Sequence, residues 1–394
     1  MRTVLVTGPG GAGRTTVAAA TALAAARRGE RVLLIGTDRE DALGPLLGGG
    51  EPVGPDVVRI DSGAHFRTEL LALQDRAGAA LDLLGAGRLD GEELTELPGA
   101  EQLALLGAVR ESAGGGHDLV VVDMPPVHQS IAALALPAQM RRCLRRLLPP
   151  ERQAARSLRP VLAQLAGVPM PAQWLYETIA RWDAELAAVQ AVVEDPGTTV
   201  RLVAEPGAAG VAALRTARLG LALHGLTPDA VIANRVLPTG SADRFLAALS
   251  GHQQCALKEL AEDFEGVPLH EVPHLGRDPR GPEELDELID GPTGEIGPWA
   301  AEDGGAAGAA PWHVEDRLAA DGVLVWHLPL PGARKDELGL VRRGDELLLT
   351  VGPFRRIVTL PSALRRCTVS GAALTDGVLR VRFAPDPDLW PRAR

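Results

Sequence analysis

A glycine-rich octapeptide, Gly8-Pro9-Gly10-Gly11-Ala12-Gly13-Arg14-Thr15, sits between a short β-branched run at residues 3–7 and an alanine-rich stretch at residues 17–28. Its spacing is that of GxxxxGK[ST], with arginine in place of lysine. Glycines at these positions let successive main-chain N–H groups point inward and cradle anionic oxygens at a helix N-terminus. Thr15 offers a hydroxyl to Mg²⁺. The strand–loop–helix order that the pattern requires is present. The alternative is a glycine-rich turn between strand and helix that holds no ligand.

Further apolar runs follow at residues 31–35, 57–61, 119–123, 200–204 and 230–233. Helical stretches separate them. Near-continuous apolar strands alternating with helices predict a mainly parallel sheet covered on both faces, an α/β fold of the P-loop NTPase kind. From Pro137 to Asp195 the strands stop. Met140, Cys143, Leu144, Leu147 and Leu148 share one helical face, and Arg141, Arg142, Arg145 and Arg146 share the other. Leu175, Ile179, Trp182, Leu186, Val189 and Val193 repeat the pattern. Such a helical insertion is either packed on the core or an apolar groove for a client helix.

Residues 276–311 are rich in Gly, Pro, Ala and acids, and read as a linker. The texture then changes to alternating runs at residues 323–330, 346–351, 354–360 and 378–383. Turn signals such as Thr375-Asp376-Gly377 separate them and predict an antiparallel β-sandwich. The expected organisation is an ATPase-type domain at 1–275 with a helical insertion at about 137–195, a linker at 276–311 and a sandwich at 312–394.

Composition narrows the function. A net charge of −11 and 3% aromatic residues disfavour nucleic acid and anionic membrane as partners. Only Lys258 and Lys335 are lysines, so Arg14 stands in a chain that uses arginine almost throughout. Cys143, Cys255 and Cys367 form no CxxC and suggest a reducing, cytoplasmic setting. No run of about 18 apolar residues predicts a membrane span, and the N-terminus does not read as a signal peptide.

Several segments together resemble the arsenical-pump and tail-anchored-protein-targeting ATPases. The loop through Thr16 is similar to their deviant Walker motif, G-K-G-G-x-G-K-T-T. Leu33-Leu34-Ile35-Gly36-Thr37-Asp38 resembles their switch I. Residues 97–101, 118–126 and 134–137 resemble the segments around their Walker B strand. Glu205-Pro206 and Asn234-Arg235-Val236-Leu237-Pro238 resemble their "TEP" and "NRVLP". Residues 323–383 resemble the α-crystallin-like, small-heat-shock-protein domain that some members carry.

The resemblance implies ATP or ADP and Mg²⁺ as cofactors. It implies phosphate binding by Gly8, Gly10, Gly11, Ala12, Gly13, Arg14, Thr15 and Thr16, and metal contacts from Thr15 and, through water, Asp123. Asp38 would orient the attacking water, and Asn234 with Arg235 would meet the base. A homodimer and a hydrophobic protein client are the implied partners. Pro9 replaces the lysine that members extend across a dimer, and removes a backbone donor. Arg39 is a candidate to meet the developing charge instead, or else an exposed arginine. Cys255 is alone where members often have CxxC, so no zinc is expected. His128 in switch II is either a phosphate contact or catalytic residue, or else a solvent-facing one. Two functions stay open: a slow, nucleotide-gated ATPase, and a catalytically dead P-loop protein acting as a holdase.

Overall fold

The computed structural model describes residues 1–37, 41–48, 54–78, 81–82, 87–147, 172–291, 294–295 and 312–390. Seven strands form the first sheet: β1 (Arg2–Thr7), β2 (Val32–Gly36), β3 (Asp56–Arg59), β4 (Leu119–Asp123), β5 (Thr198–Ala204), β6 (Pro228–Val236) and β7 (Leu269–Pro273). Their order is β3-β2-β4-β1-β5-β6-β7. Every pairing is parallel, as Val4 opposite Val121 and Leu5 opposite Val200 illustrate. Chain order reverses beside β1, which places the carboxyl ends of β1 and β4 around a crevice where such folds bind ligands.

Helices cover both faces. On one face Val4, Val6, Leu34, Val121 and Ile232 pack against α1 (Arg14–Arg27) and a later helix at Gly281–Ile289. That later helix lies inside the stretch read as a linker. Leu285 and Leu288, three residues apart, are both buried and fix it to the core, a signal outweighed in the sequence by the surrounding Gly and Pro. On the other face are α3 (Ser62–Arg76), α4 (Ala100–Ser112), α5 (Val127–Leu147), α6 (Ala172–Val193) and α7 (Ala208–His224), with α2 (Leu43–Leu47) beside the crevice and α8 (Arg244–Asp263) and α9 (Gly281–Ile289) completing the set.

Three sequence expectations change. The helical region begins at Val127, ten residues before Pro137, which lies inside α5. Proline lacks the N–H for one helical bond, yet the flanking apolar residues Ile131, Ala133, Leu134 and Ala135 are buried and hold the helix through it. Cys143, placed on the apolar face by periodicity, is exposed. Arg201, inside an apparently apolar strand, is wholly buried; its guanidinium pairs with Asp229 at 2.8 Å and donates to Thr21 Oγ1 at 3.0 Å. Burial of that cation is tolerated because it is paired.

The C-terminal unit is an antiparallel sandwich. One sheet orders β8 (His313–Arg317), β9 (Val323–Pro329), β14 (Val378–Pro385) and β13 (Cys367–Thr375); the other orders β10 (Leu338–Arg343), β11 (Glu346–Val351) and β12 (Phe354–Thr359). Asp376 and Gly377 both have positive φ, 52° and 69°, as the two-residue β13–β14 turn demands. Leu347, Leu349, Val351, Leu379, Val381 and Phe383 fill the space between the sheets. The same apolar cluster continues through Phe354 into Ile131, Leu214 and Leu219, so the sandwich shares its core with the helical face of the first sheet.

Candidate nucleotide site

The loop between β1 and α1 turns on glycine. Gly11 and Gly13 have φ of 79° and 87°, the left-handed region that side chains rarely adopt. Gly13 is the N-cap of α1 and lacks any side-chain cap, which leaves the helix's first turn facing the crevice. A Cβ on Gly13 would collide with Asn234 Nδ2, and one on Gly8 with the Val203 carbonyl. A Cβ on Gly10 or Gly11 would meet nothing within 4 Å, so the outer side of the loop is open.

Neighbouring strands hold this loop in place. Asn234, buried near the end of β6, donates from Nδ2 to the Ala12 carbonyl at 2.8 Å. Arg235, itself at φ 61°, donates to the Gly11 carbonyl at 3.1 Å. The Gln253 amide steadies that turn: its Oε1 accepts from Leu237 N at 2.8 Å and its Nε2 donates to the Arg235 carbonyl at 3.1 Å. Thr16 lies in the first turn of α1.

On the opposite wall, Thr15 Oγ1 donates to Asp123 Oδ2 at 2.7 Å. Asp123 ends β4 and is buried. The segment after it is tied to the loop: Met124 N donates to the Val6 carbonyl at 2.9 Å, and Val127 N to the Gly8 carbonyl at 3.0 Å. Thr7 Oγ1 and Ser130 Oγ both donate to the Pro125 carbonyl, at 2.8 and 2.6 Å. Thr37 Oγ1 reaches the Asp123 carbonyl at 2.9 Å from the end of β2. The Arg14 guanidinium donates to the Met124 carbonyl. It therefore reaches the residue after Asp123, an acceptor that sequence spacing gives no means of finding.

The structure thus brings Gly8, Gly10, Gly11, Ala12, Gly13, Arg14, Thr15, Asp123, Asn234 and Arg235 together at the carboxyl ends of the sheet's internal strands. Asp38 and Arg39 lie outside the described residues. His128 is exposed and its ring stacks on Phe354, with centroids 6.0 Å apart, so its observed partner is the sandwich.

A second concavity lies among the helices. Phe66, Leu70 and Leu73 of α3, Leu103 and Leu106 of α4, Met140 of α5, and Trp182, Leu186 and Val189 of α6 line an apolar cavity of about 280 Å³. Arg76, Arg110, Glu69 and Glu185 are the charged residues of its lining. Cys143 and Cys255 are exposed, Cys367 is buried, and all three are free thiols. Among the described residues no helix is long and apolar enough to cross a membrane.

A parallel sheet with a glycine loop between β1 and α1, and an aspartate ending the adjacent strand, defines a P-loop NTPase-like protein with a C-terminal antiparallel domain. The family model described as Anion-transporting ATPase matches residues 1–291, and a second, the HSP20-like domain found in ArsA, matches residues 321–383. This chain belongs to the anion-transporting ATPase family. It is similar to an uncharacterized protein of Streptomyces coelicolor, 58% identical over 404 aligned residues and covering 100% of both chains. It is also similar to a protein of Aquifex aeolicus that carries the name arsenical pump-driving ATPase 1, at 27% identity over 93% of this chain and 95% of that one. ATPase GET3 of Paracoccidioides brasiliensis is 24% identical over 74% of this chain and 89% of its own.

Proposed function

We propose that the chain binds ATP and ADP with Mg²⁺, hydrolyses ATP slowly, and uses the nucleotide state to gate a hydrophobic client at the helical cavity. The observation that carries this reading is the Thr15–Asp123 pair, 2.7 Å apart beneath an open glycine loop. A hydroxyl at a helix start beside a buried carboxylate is the donor set for a hard cation that accompanies phosphate. Mg²⁺ held by Thr15 and, through water, by Asp123 would supply charge neutralisation to a polyphosphate. The loop amides and the α1 N-terminus then hold the phosphates, and Asp38 orients the attacking water.

Arg14 is the residue on which the rate turns. To reach a phosphate its guanidinium exchanges the Met124 carbonyl for a charged acceptor, which favours the exchange. The planar fork is bulkier than an ammonium and fills the space differently, which slows turnover without abolishing binding. The Arg14–Met124 contact also supports a second reading, a nucleotide switch or holdase that does not turn over. Membership of a homodimer and a cytoplasmic setting belong to the same proposal. The apolar lining of the α3–α6 cavity and the similarity to ATPase GET3 support the client.

Thermal denaturation with and without nucleotide tests binding. ATP–Mg²⁺ at 100 times its Kd stabilises the folded chain by about 2.7 kcal/mol. No shift with either nucleotide sinks the enzyme reading. Turnover of the wild type, Arg14→Lys and Asp38→Asn then separates a slow enzyme from a dead one. The slow enzyme gains activity in the first variant and loses it in the second.

A further inference from the structure

The helix that leaves the site, α5, starts four residues after Asp123 and is held at both ends by a single hairpin of the sandwich. Near its start, His128 stacks on Phe354. Phe354 is wedged so closely that a Cβ on Gly220 of α7 would lie 2.7 Å from its ring and 2.7 Å from Ile131 Cδ1. Toward the far end, Glu346 accepts two hydrogen bonds from Arg142, at 2.7 and 2.8 Å, and another from Arg146 at 2.8 Å.

The dimensions match. His128 and Arg142 are fourteen residues apart, about 21 Å along a helix at 1.5 Å per residue. Phe354 pairs with Val351 at the turn end of the β11–β12 hairpin, and Glu346 pairs with Thr359 at its open end. Those ends are about 17 Å apart at 3.3 Å per residue. The two grips on α5 therefore lie within the span of one hairpin. It is anchored separately on α7, where Arg356 donates to the Leu223 carbonyl at 2.6 Å; within the C-terminal unit the same guanidinium lies over the Trp312 ring at 4.8 Å.

We propose that the β11–β12 hairpin is a brace between α7 and α5, and that through it the sandwich sets how the segment after Asp123 responds to nucleotide. The claim about nucleotide response rests on the reading in the preceding section. The mechanical part does not. The helix runs unbroken through Pro137 between the grips at His128 and Arg142, and so carries a disturbance from one to the other. The Val127 amide, bonded to the Gly8 carbonyl, is the nearest reporter of what reaches the phosphate loop. Glu346 and Phe354 are positioning residues in this scheme, since neither meets the crevice directly.

The test uses the full chain with Glu346→Ala, the conservative Glu346→Gln, and Phe354→Leu. Hydrogen exchange is followed first without nucleotide. Release of the brace speeds exchange at the Val127 and Ser130 amides by about fivefold or more in Glu346→Ala, although the mutated contact is at the other end of α5. Glu346→Gln falls between it and wild type, and the Val231 amide in the sheet stays unchanged. Faster exchange confined to residues 140–147 overturns the brace, because the ion pair then does no more than tie down a helix end.

Kd values for ATP and ADP are measured next. A brace that biases the switch changes their ratio by about threefold or more, by thermodynamic linkage. An unchanged ratio, with only the melting temperature lowered, overturns the regulatory part. A wild type that binds neither nucleotide defeats the preceding section's reading, and the exchange result alone then decides the brace. If Glu346→Ala does not fold, Glu346→Gln and Phe354→Leu carry the same comparison.

Discussion

The strands β4 and β14 are each internal to a sheet, yet they are built on opposite rules. Leu119-Val120-Val121-Val122-Asp123 is buried at every position, because helices cover both faces of the parallel sheet. In β14, Leu379, Val381 and Phe383 are fully buried while Arg380 and Arg382 alternate with them on the outer face. A strand dry on both faces has room for chemistry only at its end, which is where Asp123 stands. A strand with one wet face can carry charge along its length, as β14 does at Arg382. The β11–β12 hairpin keeps charge at the half-buried Glu346 and Arg356, because each is paired where it grips the helices of the other domain.

Substitutions test the contrast in descending order of effect. Val121→Asp puts a carboxylate at a fully buried position in the middle of β4. It costs about 4 kcal/mol or more and removes cooperative unfolding near ambient temperature, as circular dichroism or calorimetry records. Phe383→Ala opens a cavity in the sandwich core and costs about 3–5 kcal/mol in denaturant titration. Because the two domains share one apolar cluster, that loss appears in a single transition. Two separate transitions would dissolve the view of a shared core.

Acid sharpens the comparison at the seam. His224, at the end of α7, is pushed down to about pKa 4, first by burial and then by repulsion from Arg356. An unfolded chain protonates this histidine near its ordinary value of 6.5, so between these two pH values the unfolded state binds more protons. Stability is therefore complete above about pH 6.5 and is lost as pH falls toward 4, by at most about 3 kcal/mol. His224→Gln flattens that part of the profile. An unaltered slope in this variant moves the acid sensitivity elsewhere. Arg382→Ala, on the wet face of β14, changes stability by no more than about 0.5 kcal/mol. A loss comparable with that of Phe383→Ala would erase the distinction between the two strand types.

How much of this was legible in the sequence follows the same division. The β4 run and the alternating 346–351 run coincide with strands Leu119–Asp123 and Glu346–Val351. The phosphate loop was readable because its glycines, its Thr15 and its flanking strand and helix are contiguous. Thr15 and Asp123 are 108 residues apart and meet only through the β1–β4 pairing, so resemblance, not spacing, suggested that they share a site. β13 escaped periodicity because Gly371 and a register shift between Val369 and Gly371 break its alternation. Asp118 was read only as part of a motif. In the fold it caps the seam between β2 and β4, where Arg31 holds its carboxyl down at about pKa 2. The partners of Phe354 were invisible, since no local pattern says that one aromatic ring will rest between two helices of another domain.

Gly220 carries a consequence for ancestry. Its missing methyl leaves room both for the Phe354 ring of the sandwich and for Ile131 Cδ1 of α5. A related chain that has shed its C-terminal domain loses the first of these constraints and keeps the second. Filling this one site then asks only Ile131 to give way, whereas in a chain that has kept its two halves together it must also expel the ring.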